Sequence, residues 1–177
     1  MTPAFTRRGA GIRMDLRRGE ADLLRQLRDE LAQFLTAPPA GDPVTTRLFP
    51  ATVREDDEAD QELRGLIHDD LLRERLQRLD ELLAILDRAP AHRSRVRVDL
   101  VDEEPLVVLG VLNDLRLALG ARIGVADLVR EDITSDHPHL HTLVVMDHLA
   151  GWQEQLLAAL DPESVRHYDE GHDPPED

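Results

Sequence analysis

The sequence predicts a mostly α-helical α+β fold: a bundle of about five helices with a small antiparallel sheet. Leucine recurs at helical spacing along most of the chain, which is typical of amphipathic helices. Two short segments instead alternate apolar and charged residues with a period of two, as half-buried strands do. No internal repeat or long linker interrupts these patterns, and 177 residues are enough for one core. We therefore expect a single domain over residues 1–162.

Three segments are predicted to form the sheet. Apolar residues alternate with arginine and aspartate over residues 11–17, and the same alternation recurs over residues 95–100. A glycine-containing turn precedes the first segment, so residues 4–8 around Phe5 are expected to pair with it as a third strand. Because isolated strand pairs are marginal in water, we expect all three segments to lie in one antiparallel sheet.

The remaining apolar stripes predict helices. They cover residues 19–36, 57–67, 70–87, 102–119 and 138–160. A junction between the second and third helices is expected at Asp69 or Asp70, because aspartate favours helix N-caps. The fourth has almost no polar face, which predicts a central buried helix. We expect Asp102 to cap its start and Gly120 to end it in a left-handed turn.

The composition excludes several classes of function. All 21 basic residues are arginine and no cysteine is present, against 36 acidic residues and a net charge of −15. Without cysteine there is no disulfide, thiolate zinc site, iron–sulfur cluster or cysteine nucleophile, and without lysine there is no P-loop lysine or Schiff base. No apolar run approaches the roughly 20 residues that cross a bilayer, and no apolar segment follows Met1, so we expect a cytoplasmic protein.

Acidic residues are concentrated in two places. The last 17 residues hold seven carboxylates against the single Arg166, so we predict that residues 163–177 are a disordered acidic tail. A second acidic run lies between residues 55 and 62. We interpret it as a helix N-terminus, where carboxylates suit the helix dipole; a docking surface for a basic partner is the alternative.

Positive charge is concentrated on the predicted sheet. The arginines that make up this candidate nucleic-acid patch are Arg7, Arg8, Arg13, Arg17, Arg95 and Arg97. Arginines gathered on one face can contact phosphates even in a chain with a net negative charge. The alternative is an ordinary solvated strand face. Because no recognition-helix motif is visible, direct DNA contact ranks behind protein contact.

Two further segments have the composition of a protein interface. The candidate partner-binding residues are Arg47, Leu48, Phe49 and Pro50 in a predicted loop, and Asn113, Asp114 and Arg116 in the apolar helix. Phe49 is one of few aromatic residues and lies close to an arginine, a pairing that is common in interface anchors. Each segment also has a structural interpretation: Phe49 fills the core, and Asp114 or Asn113 ties its helix to a neighbouring loop while Arg116 extends outward.

The histidines are the strongest enzyme-like signal. His137, His141 and His148 fall within about 40° of one another on a helical wheel, and imidazoles on one helix face can hold a transition metal. His139 points elsewhere, and no glutamate lies between the paired histidines, so we interpret the group as structural or incidental. No serine lies in a nucleophile elbow, and no glycine-rich phosphate loop is present. We therefore expect no enzyme activity, no cofactor and no metal.

The order of these motifs resembles the actinobacterial AosR-like family of oxidative-stress regulators, long catalogued as a domain of unknown function. The resemblance covers roughly residues 5–160. The blocks that it depends on are Arg47-Leu48-Phe49-Pro50, Asp69-Asp70-Leu71-Leu72, residues 112–120 and Trp152-Gln153-Glu154. The blocks at residues 47–50 and 112–120 are the most distinctive, and their order and spacing are more specific than any one of them.

The resemblance implies a cytoplasmic, non-enzymatic regulator of oxidative-stress transcription that contacts a sigma factor or RNA polymerase. Genes of the family commonly lie near that of an adaptor for the Clp protease, so a partner protein in regulated proteolysis is the alternative. A redox role in this family would naturally use a cysteine pair as its sensor. This chain has no cysteine, so it cannot switch by thiol–disulfide chemistry.

Overall fold

A computed structural model confirms the mostly helical α+β fold. It describes residues 3–9, 11–39, 41–49, 58–90, 94–128 and 133–161, with side chains from residue 68 onward in the fourth range. In chain order the described elements are β1 (Phe5–Arg8), β2 (Gly11–Arg17), α1 (Arg18–Thr36), α2 (Pro43–Leu48), α3 (Glu58–Asp87), β3 (Arg95–Leu100), α4 (Glu104–Arg122), a 3₁₀ turn (Val125–Asp127) and α5 (Leu140–Leu160). None of the described helices combines the length and the apolar character that crossing a lipid bilayer requires. Residues 163–177 lie outside the described residues, so the acidic tail stays a prediction.

The three predicted strands form one antiparallel sheet in the order β1-β2-β3. Every second residue of β2 is buried, namely Ile12, Met14 and Leu16, which confirms the period of two. The turn between β1 and β2 contains Gly9 at a φ of 60°, a left-handed conformation that glycine adopts without a steric penalty. One face of the sheet therefore packs on the core and the other carries charged side chains.

The helices cover the apolar face of the sheet, and α4 lies at their centre. It contacts α1, α2, α3 and α5, as expected for the helix predicted to be central. Its buried side chains include Val108, Leu112 and Leu115. The helix is not buried all round, however, because the side chains of Leu106 and Asn113 are exposed.

The predicted break at Asp69 and Asp70 is wrong. The chain forms one continuous helix, α3, through both positions. Asp70 instead accepts a hydrogen bond from Arg73 Nη1 at 2.5 Å, one turn further along the helix. Aspartate costs only a few tenths of a kcal/mol inside a helix, and neither proline nor glycine follows, so nothing forces the helix to end.

Three other boundaries differ from the predictions. The segment around Arg47 and Leu48, which was expected to be a loop, lies in the short helix α2. Asp42 caps this helix by accepting a hydrogen bond from Val44 N at 2.8 Å, and proline occupies the first turn of the helix. Helix α4 starts after Glu103, because Asp102 has a φ of 48° and lies outside the helix. It also continues past Gly120, and the left-handed residue is Gly124.

Candidate functional site

The two predicted interface segments meet at one groove. Because α2 packs on α4, Arg47 lies beside Asn113 and Arg116, and these three side chains line a cavity of about 370 Å³. Its other walls come from α4, the 3₁₀ turn and α5, and they include Leu117, Ala121, Val125 and Met146. We call this cavity the α2–α4 groove. It joins an apolar floor to two guanidinium groups.

The two arginines of the groove differ in freedom. Arg116 Nη1 donates a 2.5 Å hydrogen bond to Oε1 of Gln153, a buried residue of α5, so its orientation is fixed by that contact. The structural interpretation, in which Arg116 extends outward into solvent, is therefore wrong for this side chain. Arg47 is exposed at the last turn of α2. The groove thus offers one fixed and one adjustable positive charge.

The floor of the groove depends on a glycine. A Cβ atom at Gly120 would lie 3.0 Å from Cγ1 of Val125 and 3.2 Å from Cε of Met146. The absence of a side chain therefore lets α4 approach both the 3₁₀ turn and α5. This close approach brings Val125 and Met146 to the floor of the groove.

A buried charge cluster holds the walls together. Asp114 is 5% exposed and forms ion pairs with Arg75 Nη1 and, at 3.6 Å, with Arg78 Nη2. Arg75 Nη2 also donates to the carbonyl of Leu48 at 2.9 Å, and its guanidinium lies 5.3 Å from the centre of the Phe49 ring. Helices α2, α3 and α4 therefore meet at Arg75.

Sequence reasoning missed both arginines of this cluster. Arg75 lies three residues after Leu72 and four before Leu79, on the apolar side of the predicted third helix, whereas Arg78 lies outside that stripe. Two signals were available: Asp114, because a carboxylate inside an apolar helix requires a cationic partner, and Arg75, because a guanidinium within a leucine stripe requires an anionic one. The sequence could not say which of 21 arginines pairs with Asp114.

The predicted partner-binding residues are divided by their burial. Leu48 lies in the core and Asp114 in the charge cluster, so their side chains support the groove from within. Phe49 is half-buried, and its ring centre lies 4.5 Å from that of His68. Pro50 falls outside the described residues. The members that line the groove are Arg47, Asn113 and Arg116, and their binding of a partner stays a prediction.

The sheet arginines are interleaved with aspartates instead of forming a uniform positive patch. Arg13 pairs with Asp99 through hydrogen bonds of 2.7 and 3.0 Å. This pairing lowers the pKa of the Asp99 carboxyl, chiefly through the hydrogen bond, and raises the pKa of Arg13 for the same reason. Arg7 points away from the others and donates to the last carbonyls of α5, at Ala159 and Leu160.

Asp15 is the second carboxylate among these arginines. Its Oδ1 accepts from Arg95 Nε at 2.6 Å and its Oδ2 from Arg97 Nε at 3.0 Å. Burial raises the pKa of Asp15, but the hydrogen bonds and positive charges of Arg95 and Arg97 outweigh it, so the pKa lies below its ordinary value. Arg8 and Arg17 lie at opposite ends of the same face.

The histidines do not converge as the helical wheel suggested. Helix α5 begins at Leu140, so His137 precedes it and the wheel does not apply to that residue. His137 Nδ1 accepts from the backbone N–H of His139 at 3.2 Å. His148 lies more than two turns into α5, beside Glu20 and Trp152. Within the described ranges, no three metal-ligating side chains lie close enough together to hold a metal ion, and His141 belongs to no such group.

A second cavity, of about 250 Å³, lies between the sheet and α5. Its walls include Asp15, Glu20, Arg95, His148 and Trp152. These side chains contact one another across the cavity. His148 Nε2 lies 3.7 Å from Glu20 Oε1, the His148 ring packs against Trp152, and Arg95 pairs with Asp15. Because the α2–α4 groove presents an apolar floor with an exposed arginine, it is the stronger candidate for a binding site.

A model of one protein family matches residues 1–160, which is most of the chain. Its description is "domain of unknown function", DUF2017. The chain belongs to the DUF2017 family. The match includes the sheet, both walls of the α2–α4 groove and all of α5. No curated protein and no solved structure is similar enough to this DUF2017 chain to count as a match.

Within the DUF2017 domain, the groove combines apolar surface with two hydrogen-bond donors, Arg47 and Arg116. An apolar floor of this size accepts one or two side chains of an inserted helix or extended peptide. Arg47 and Arg116 can each hydrogen-bond a carboxylate or a backbone carbonyl at its rim. The arrangement suits recognition of an apolar segment that carries an acidic residue.

Proposed function

We propose that this DUF2017 protein is a non-enzymatic regulator that acts by binding a protein partner in the α2–α4 groove. The observation that supports this most directly is the meeting of Arg47, Asn113 and Arg116 around an apolar floor. Arginine and large apolar groups are enriched at the centres of protein interfaces. The groove combines both in one place.

The groove is also held in shape before any partner arrives. Arg75 fixes the end of α2 through the Leu48 carbonyl, and Gln153 holds Arg116. A preorganised site loses less conformational entropy on binding than a flexible one, so more of the contact energy appears as affinity. This favours a binding role for the groove.

For the partner we propose a component of the transcription machinery, a sigma factor or RNA polymerase, in the cytoplasmic response to oxidative stress. The motif order that resembles AosR-like regulators supports this choice, and two of its blocks contribute residues to the groove. The net charge of −15 also disfavours direct competition for DNA and favours a basic protein surface. Since the chain has no cysteine, its binding is controlled by something other than its own thiols.

The test is a direct titration with purified proteins. A labelled chain is titrated with alternative sigma factors and core RNA polymerase from an actinobacterium, alongside the variants Arg47→Ala and Arg73→Ala. Arg73 is the matched control, because its side chain is 71% exposed on α3 and does not line the groove. We expect Arg47→Ala to weaken binding about tenfold, which corresponds to about 1.4 kcal/mol, and Arg73→Ala to leave it unchanged.

Two results would overturn this function. One is no binding to any sigma factor or to the polymerase at micromolar concentration. The other is equal binding by the parent chain and both variants, which would place the interface elsewhere. Binding to the Clp protease adaptor in place of the transcription proteins, with the same loss in Arg47→Ala, would support the proteolysis alternative.

A further inference from the structure

The face of the sheet that points away from the core carries a local excess of positive charge. Ile12, Met14 and Leu16 are buried, so the intervening residues of β2 and their partners in register point the other way. We call this surface the outer sheet face, and its charged members are Arg8, Arg13, Asp15, Arg17, Arg95, Arg97 and Asp99. Five guanidiniums and two carboxylates give it a charge of +3 in a chain whose total is −15.

At one end of this face Glu20 and Asp147 line the same cavity as Asp15, Arg17 and Arg95, so further carboxylates lie close to the arginines there. A single carboxylate, that of Asp15, serves both Arg95 and Arg97. In the same region Arg17 stands directly opposite Arg95 in the strand register. Like charges at directly opposed positions repel each other, and an anion placed beside them relieves that repulsion. The positive excess that stays open lies away from that cavity, where Arg8, Arg13 and Arg97 accompany the single carboxylate of Asp99. This part of the outer sheet face is matched to a ligand with several negative charges.

A segment of this chain with that composition starts beside the sheet. Helix α5 ends at Leu160, and Arg7 of β1 donates to the carbonyls of Ala159 and Leu160 at 3.1 and 3.4 Å. Its neighbour Arg8 is the first arginine of the outer sheet face. Residue 162 therefore follows a helix end that is bonded to the edge strand of the same sheet.

The sequence from residue 162 onward is strongly acidic. Its carboxylates outnumber its one basic side chain, Arg166, by six to one. They are Glu163, Asp169, Glu170, Asp173, Glu176 and Asp177. Its 16 residues can span about 50 Å when extended, whereas the seven residues of β2 cover about 24 Å. The segment is long enough to reach both ends of the outer sheet face.

We propose that the acidic segment, residues 162–177, binds back onto the outer sheet face. It then neutralises the unmatched arginines and covers them against other polyanions. The α2–α4 groove is a poorer destination, because it offers two arginines and one of them is already bonded to Gln153. This inference is independent of the proposed partner, which uses a different surface.

The test uses the full-length chain and a spin label. Since the sequence has no cysteine, Gly171→Cys provides a single attachment point for a nitroxide. The label broadens NMR signals of backbone amides near it, so the amides of Arg13, Arg97 and Asp99 are expected to lose most of their intensity at low salt. At about 1 M salt the Debye length falls to about 3 Å, and the signals should recover.

The matched control carries the same label in a chain whose six acidic residues after position 161 are changed to the corresponding amides. The length of the segment is unchanged, so only the loss of charge can remove the broadening of the outer sheet face. A second control mixes labelled chain with isotope-enriched chain that has no label. It should show no broadening, because the contact is within one molecule.

Several results would overturn the proposal. Broadening that is absent, that falls on the α2–α4 groove, or that persists in the amide control would exclude a charge-driven contact with the sheet. Broadening in the mixed sample would show that the segment binds a second copy instead. If the label leaves the amide signals of the outer sheet face unchanged, and this face binds a DNA duplex with steep salt dependence, the face is a nucleic-acid surface and the proposal is wrong.

Discussion

Replacing Asp114 by asparagine tests whether the buried charge cluster holds the groove together. The substitution keeps the shape of the side chain and removes its charge, which leaves Arg75 and Arg78 without their shared carboxylate. Breaking a buried ion pair by removing one partner costs about 3–5 kcal/mol. The Arg75 side chain is 14% exposed and keeps the Leu48 carbonyl, so we expect a smaller loss, of about 2–3 kcal/mol.

That loss is large compared with the stability of a typical domain, about 5–15 kcal/mol. For a chain of this size it corresponds to a decrease in Tm of about 4–12 °C. The matched control is Asp99→Asn, because Asp99 also pairs with an arginine but is 63% exposed. Water screens exposed ion pairs strongly, so the control should lose much less stability.

The assay is urea denaturation followed by tryptophan fluorescence. The only tryptophan of the sequence, Trp152, is 3% exposed in α5, so its emission reports the packing of the core. If Asp114→Asn costs no more than Asp99→Asn, the cluster does not stabilise the fold and the reasoning is refuted. A double variant with Arg75→Met and Asp114→Leu should recover part of the loss, because apolar groups can replace a buried ion pair.

Three further predictions address other parts of the molecule. Because the pKa of Asp15 is lowered in the folded state, its stabilising effect is present above the ordinary carboxyl pKa of about 4 and is lost as the pH falls through the folded-state pKa. Asp15→Asn should therefore unfold more easily than the parent at pH 7, with a difference that shrinks under acid in urea titrations. Gly120→Val should overpack the groove floor against Val125, lower stability by about 1–3 kcal/mol and weaken partner binding in the same titration. Removing the cap of α2 with Asp42→Ala should cost about 1 kcal/mol in urea denaturation, and an unchanged stability would mean that packing alone positions that helix.

The strands could be predicted from the sequence because the signal is local. Alternation of apolar and charged residues over seven positions is enough to define β2 and its buried face. The register places aspartates opposite arginines, as in the pair Arg13 and Asp99. What the alternation could not show is that these aspartates neutralise part of the arginine patch.

The helices were harder to predict where they depend on contacts. Helix α2 has six residues, well below the roughly 12–15 that an isolated helix needs. Its packing on α4, the Asp42 cap and the hydrogen bond from Arg75 to the Leu48 carbonyl stabilise it instead. The opposite error occurred in α3, where Asp69 and Asp70 resemble the start of a helix. Both aspartates are exposed on a helix that simply continues past them, because no backbone change is required there.

The sequence by itself determined the fold class, the three strands and the absence of thiol chemistry. These properties depend on composition and on patterns within a few neighbouring residues. Only the tertiary structure decided that Arg47 lies beside Asn113, that Arg75 is the partner of Asp114, and that Arg7 joins β1 to the end of α5. A buried charge needs a partner of opposite sign, but which residue supplies it depends on how distant helices pack. That information is absent from any local pattern.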